Sequence, residues 1–173
     1  MGIFLFMKFL EKDLETIIYE SGRDLLEAKG LPIYGKLKRQ LKIGNFGIAD
    51  LVEFQRPFYD GPKRQYFTPG RIIIYELKKE QIGISAFLQS INYYKGIYEY
   101  LKSKNKQHLF IIDIVLIGKE VDTSGSFCYL SEICSLLNGT YENGTIEFYK
   151  YNYTINGLEF TQCQNFNLTD KGF

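Results

Sequence analysis

The sequence predicts an α/β chain built on a mixed sheet flanked by helices, and three observations predict it. Residues 72–75, Ile-Ile-Ile-Tyr, are a β-branched run without helical period, the pattern of a buried strand. Residues 80–104 then carry Phe87, Leu88, Ile91, Tyr94, Ile97, Tyr98 and Leu101 at helical spacing, and residues 109–117 return to an apolar strand. Strand, long helix, strand is a crossover, so the two strands are expected as parallel neighbours. Last, Asn156-Gly157 stands between two strand-like segments, 145–154 and 158–166, and is a strong two-residue turn signal for an added C-terminal β-hairpin.

The other elements follow in chain order. Residues 8–29 read as helix, with Phe9, Leu10, Leu14, Ile17, Ile18, Leu25 and Leu26 as an apolar stripe and Ser21-Gly22 breaking it in two. Gly30-Leu31-Pro32 ends it. Lys36, Lys38, Arg39 and Lys42 alternate with Leu37 and Leu41 on a short basic strand, and Gly44-Asn45 turns into the next strand, residues 48–54. A long segment, 55–70, joins that strand to the Ile72 run, with three of the chain's four prolines, three basic residues and four aromatics. Loops this long are often functional, and this one is expected either to lie over the active site and touch nucleic acid or to form a solvated extension. Residues 121–126 read as a polar loop and 127–137 as a short helix. Asp113, in mid-strand, is expected to meet a buried cation or to face outward.

Composition sets the class. At 173 residues, 45% hydrophobic and 24% charged, the chain suits one domain spanning 1–173. A formal charge of +1 excludes the global basic field of dedicated duplex binders, so any nucleic-acid surface is local. The apolar start, Met1 to Leu10, lacks a basic flank and a cleavage site, so no secretory signal is expected, and it is too short to span a bilayer. Phe6 stands where a myristoylation motif needs Ser or Thr. Cys128, Cys134 and Cys163 are odd in number without a paired CxxC, which argues for reduced thiols in a cytoplasmic setting. Four Asn-x-Thr triplets are read as turn chemistry because no secretory signal is expected. His108 is the single histidine, which excludes a His-pair metal site. No phosphate-binding glycine loop or serine nucleophile elbow is present, which weakens a small-molecule enzyme reading.

The chemistry concentrates between Gly44 and Tyr93. Along the strand that ends Tyr75-Glu76-Leu77-Lys78, side chains alternate, so Glu76 and Lys78 point the same way and Leu77 leaves its carbonyl at the strand end. Asp50 lies inside the apolar segment Gly47-Ile48-Ala49-Asp50-Leu51-Val52, where a lone carboxylate is costly unless something cationic meets it. Asp50, Glu76 and the Leu77 carbonyl are hard oxygen ligands, the set that Mg²⁺ or Mn²⁺ prefers. Lys78 is suited to orient a water or meet a phosphate as a point charge, and Lys79 beside it is a further candidate phosphate contact. Lys36, Lys38 and Arg39 on the basic strand are either phosphate-backbone contacts or the charges that keep an edge strand from aggregating.

Gly-Ile-Ala-Asp50, Tyr-Glu76-Leu-Lys78 and Gln89-x-x-x-Tyr93, in that order, resemble the PD-(D/E)xK nuclease superfamily, its RecB-like and NucS-like branches above all. The resemblance runs from Glu11 to about Tyr98, and the 25 residues between Asp50 and Glu76 exceed the short hairpin usual there. It implies a restriction-endonuclease-like fold and a Mg²⁺- or Mn²⁺-dependent DNA nuclease. Asp50, Glu76, the Leu77 carbonyl and Glu11, with Glu15 second to it, would be metal ligands, Lys78 and Gln89 would be catalytic, and Tyr93 would touch a phosphate. Taken alone, Glu11 and Glu15 equally suit a solvated helix face, and Gln89 and Tyr93 an amphipathic helix. The resemblance also allows a homo-oligomer. The alternative, from another class, is a catalytically inactive nucleic-acid-binding or assembly module on the same scaffold.

Overall fold

A computed structural model describes residues 10–61, 66–122, 124 and 144–163. Its frame is a six-stranded mixed sheet in the order β1-β2-β5-β7-β9-β10. The strands are β1 (Lys36–Lys42), β2 (Ile48–Gln55), β5 (Gly70–Leu77), β7 (Phe110–Gly118), β9 (Ile146–Thr154) and β10 (Gly157–Gln162). β1, β2 and β5 are antiparallel neighbours, β5, β7 and β9 are parallel, and β10 returns antiparallel on β9. β3 (Phe58–Asp60) and β4 (Tyr66–Thr68) pair only with each other, and the two-residue strands β6 (Gln81–Ile82) and β8 (Glu120–Val121) form a small parallel ladder. β7 is central and covered on both faces, which accounts for its continuous apolar run Ile-Ile-Asp-Ile-Val-Leu-Ile.

Two layers of helix cover the sheet. α3 (Ile84–Ser103) carries the β5–β7 crossover and packs Ala86, Phe87, Tyr93, Ile97 and Leu101 against Val52, Ile72, Ile74, Ile112 and Ile114. On the other face, α1 (Glu11–Glu20) and α2 (Arg23–Ala28) bring Leu14, Ile18 and Leu26 onto Leu51, Tyr75, Leu77, Val115 and Ile117. These two clusters alternate residue by residue along β5, as a strand with both faces buried requires. The break between α1 and α2 falls at Ser21 and Gly22, where the backbone is extended.

Most expected elements appear within a few residues of their expected limits. The exceptions lie between β2 and β5 and beyond β8. Residues 55–70 contain a hairpin, β3–β4, and it leaves the sheet after Gln55 and returns at Gly70. Asp50 is near the opposite end of β2 and Glu76 near the opposite end of β5, because Gln55 pairs with Arg71 whereas Leu51 pairs with Tyr75. The hairpin root is therefore about five residues, ~17 Å of strand, from Asp50. That placement corrects the expectation of a cover over the acids. The expected helix at 127–137, and Cys128 and Cys134 with it, lie outside the described residues.

Candidate active site

Asp50 and Glu76 meet where the β2–β5 ladder stops. Its last pair is Leu51 with Tyr75, and one further step in the same register sets Asp50 opposite Glu76. Ile74 lies in the α3-side cluster, so by alternation Glu76 faces α3, whereas alternation in β2 breaks at Asp50, between Ala49 in the α3-side cluster and Leu51 in the other, opposite Gln40 with its φ of 49°. Instead of extending the ladder, Asp50 Oδ2 accepts the backbone N–H of Leu77 at 3.0 Å. Glu76 is 1% exposed, and its Oε1 accepts from Lys78 Nζ at 2.8 Å. Its other oxygen, Oε2, is buried and has no hydrogen-bond partner.

The segment after β5 is tied down on both sides. The Lys78 N–H donates to the Ile117 carbonyl at 2.8 Å, and the Tyr151 hydroxyl donates to the Lys79 carbonyl. Glu11, in the first turn of α1, reaches over this segment. Its Oε2 accepts the Lys79 N–H at 3.3 Å, and its Oε1 lies 3.7 Å from Lys78 Nζ. Lys78 thus bridges a buried acid and a half-exposed one.

Burial pushes the Glu76 carboxyl up to about 7; the Asp50 charge adds to this and the Lys78 hydrogen bond opposes it. Burial also raises Asp50 above the ordinary carboxylate value, against the Leu77 N–H and the Lys78 charge. Lys78 is pulled down by burial but ends above the usual lysine value, because its hydrogen bond to Glu76 and the charges of Glu76, Glu11 and Asp50 outweigh that pull. Two carboxylates and one ammonium therefore share a field that is short of positive charge.

Gln89 and Tyr93 lie one turn apart on α3, and Gln89 Nε2 donates to the Tyr93 hydroxyl. That hydroxyl in turn donates to the Ile48 carbonyl at 2.7 Å, and the Tyr93 side chain is buried. Its ring sits against Gly47, whose φ is 113° and where an added Cβ would lie 2.9 Å from the Tyr93 ring. Tyr93 is thus a pin between α3 and the start of β2, two residues before Asp50. This replaces the phosphate contact expected for it, since its hydroxyl proton is already committed. Gln89 supports the pin instead of bonding Lys78.

The basic strand is divided in its allegiance. Arg39 turns to α1, where it bonds Glu15 and also donates to Thr16 Oγ1 at 2.9 Å, and Gln40 donates to the second Glu15 oxygen. Glu15 is therefore buried structural machinery between α1 and β1. Lys36 and Lys38 are exposed, but they pair with Phe54 and Val52, toward the hairpin end of β2 and away from Asp50. Lys79 stays beside the site, with its ammonium 3.6 Å from Glu80.

Two buried acids, Glu53 and Asp113, carry structure, and sequence reasoning left the first of them unassigned. Glu53 is fully buried on the α1 side and accepts from the Tyr34 and Gly35 N–H groups, Gln55 Nε2 and the Tyr75 hydroxyl. A second acid three residues past Asp50 in the same apolar strand was its signal. Asp113 is buried and pairs at 2.6 Å with a cation, Arg71, that is itself half exposed where a buried one was expected, and it also accepts the Thr145 N–H at 2.9 Å.

The donor set fits a hard divalent cation in part. Asp50 and the orphaned Glu76 oxygen are hard ligands at one end of the β2–β5 ladder, and a cation between them would relieve the burial of both charges. Among the described residues no cluster of three or more acidic, histidine or cysteine side chains has metal-binding geometry, so Glu11 would have to leave Lys78 to become a third ligand. No helix among the described residues is long and apolar enough to cross a membrane. No known protein-family profile matches the chain, and neither a curated protein nor a solved structure shows significant similarity to it.

Proposed function

We propose that the chain is a metal-dependent DNA nuclease of the PD-(D/E)xK type, with a restriction-endonuclease-like core. The observation that carries the reading is the meeting of Asp50 and Glu76 at the end of adjacent strands, close enough for the Asp50 charge to act on Glu76, with the second Glu76 oxygen buried and unpartnered. Natural interiors rarely leave such an atom without a partner unless a water, an ion or a ligand meets it. Mg²⁺ or Mn²⁺ held by Asp50, Glu76 and the Leu77 carbonyl would supply charge stabilisation at the phosphate and a more acidic water.

The chain's own residues do the rest. Lys78 sits as a point charge beside Glu76, placed to orient the attacking water or to meet a phosphate oxygen. The attacking water bonds to phosphorus and gives a proton to solvent, the phosphorus–oxygen ester bond breaks, and the leaving oxygen takes a proton from solvent, so that one water is consumed for each bond cut. Glu11 holds Lys78 and the Lys79 N–H, which keeps the ammonium at the mouth of the site. Tyr93 and Gln89 keep the start of β2, and so Asp50, in register with β5.

A second reading, a non-catalytic nucleic-acid-binding or assembly module, draws on the Lys78–Glu76 pair, which neutralises the buried acid without a metal. Labelled single-stranded, duplex, flap and junction DNA incubated with Mg²⁺ and with Mn²⁺ separates the two. Cleavage lost in Lys78→Ala supports the nuclease, and binding without cleavage under every condition supports the module.

A further inference from the structure

The hairpin β3–β4 stands apart from the main sheet and presents Phe58, Tyr59, Tyr66 and Phe67, each between 38% and 67% exposed. Tyr59 and Phe67 are cross-strand partners on one face, their ring centroids 5.0 Å apart and tilted by 44°. Phe58 lies on the other face, opposite Thr68, and Tyr66 lies opposite Asp60. A two-stranded ribbon with aromatics on both faces is marginal alone and leaves contiguous apolar surface in water, which marks an interaction site.

Charge decides the partner. Among the described residues of the segment 55–70, Arg56 is an exposed cation where the hairpin leaves the sheet and Asp60 is the one acid. The topology adds the cations of β1 to the same end of the sheet: Lys36 pairs with Phe54, the residue before Gln55, where the hairpin departs. Lys38 follows on the same strand, with its ammonium 5.5 Å from the centre of the Phe54 ring. Exposed aromatics beside a strip of cations are the combination that holds single-stranded nucleic acid, bases stacking on rings and phosphates meeting the ammonium groups.

We infer that the β3–β4 hairpin and the Lys36 end of β1 form a binding surface for single-stranded nucleic acid, separate from the Asp50–Glu76 site. The inference shares with the proposed function only the nature of the partner, since neither Asp50 nor Glu76 takes part in it. In the nuclease reading this surface holds a single-stranded portion of the substrate about 17 Å or more from the bond that is cut.

The test is fluorescence anisotropy of a labelled oligothymidylate of about 20 nucleotides on the full chain, in the Asp50→Asn background with EDTA so that nothing is cut. Tyr59→Ser with Phe67→Ser should weaken binding roughly 5- to 100-fold for each ring that stacks. Tyr59→Phe with Phe67→Trp should restore it, which separates stacking from damage to the hairpin. Lys36→Ala should lower the slope of log affinity against log salt by about 0.7. Equal binding by the serine variant overturns the inference, as does a parent dimer that the same substitutions dissociate, because a second copy then covers the rings. Hairpin-dependent binding by a protein that never cuts DNA sinks the nuclease reading alone, and cutting with no dependence on the hairpin sinks this one alone.

Discussion

Asp50 accepts the Leu77 N–H across the end of the β2–β5 ladder, so the carboxylate holds the strand that carries Glu76. One residue thus both builds the site and supplies half its charge. Asp50→Asn keeps an acceptor for Leu77 and removes the charge. It should fold with little change in melting temperature, lose cleavage by at least about a thousandfold, and lower the Glu76 carboxyl value by removing a like charge. Melting curves and single-turnover cleavage, run on one preparation, check both halves.

Glu76 makes stability depend on pH in an unusual direction. Folding raises its carboxyl from 4.5 to about 7, so the folded chain binds more protons than the unfolded one between those values. Its contribution to stability is full below about 4.5 and is lost as pH rises through about 7. Glu76→Gln, neutral at every pH, should therefore gain roughly 3 kcal/mol over the parent at pH 8 and almost nothing at pH 4. Urea denaturation at the two values measures the difference.

Lys78 opposes the same burial. Lys78→Met leaves the Glu76 carboxylate without its ammonium and should push the Glu76 value above about 7. Because Lys78 is 24% exposed, the expected cost at pH 8 is about 1–3 kcal/mol, below that of a fully buried pair. At pH 4, where Glu76 is protonated, the cost should shrink, and the same denaturation series shows whether it does.

Glu53 separates structure from chemistry on one strand. Glu53→Ala strands the Tyr34 and Gly35 N–H groups and the Tyr75 hydroxyl, so it should cost about 3 kcal/mol or more. Cleavage per folded molecule should stay within a fewfold of the parent, because the partners of Glu53 are Tyr34, Gly35, Gln55 and Tyr75, none of which hydrogen-bonds to Asp50, Glu76 or Lys78. Specific activity corrected for the folded fraction decides it.

The strands, the crossover and the C-terminal hairpin were legible because their signals are local: β-branched runs, a helical stripe broken at Ser21-Gly22, and Asn156-Gly157. The meeting of Asp50 with Glu76 was legible as a pattern of acids on strand ends. Its geometry was not, since register depends on pairing across 25 intervening residues. The hairpin's direction was hidden for the same reason: sequence shows a long connection, and only the antiparallel register shows which end of the strands it leaves. Tyr93 misled because a tyrosine hydroxyl reads alike whether it faces solvent or the Ile48 carbonyl. Arg39 reads as a surface cation until Glu15 is seen above it.

Binding of a divalent ion tests the central claim most directly, and it can be followed without DNA as the rise in melting temperature with Mn²⁺ or Mg²⁺ at pH 6, 7 and 8. The account expects the ion to stabilise the parent, by about 2.7 kcal/mol at a hundred times its dissociation constant. Affinity should strengthen as pH rises through about 7 and Glu76 gives up its proton, and Asp50→Asn should abolish the effect. An ion that stabilises the parent and Asp50→Asn equally, or neither at any pH, would contradict it.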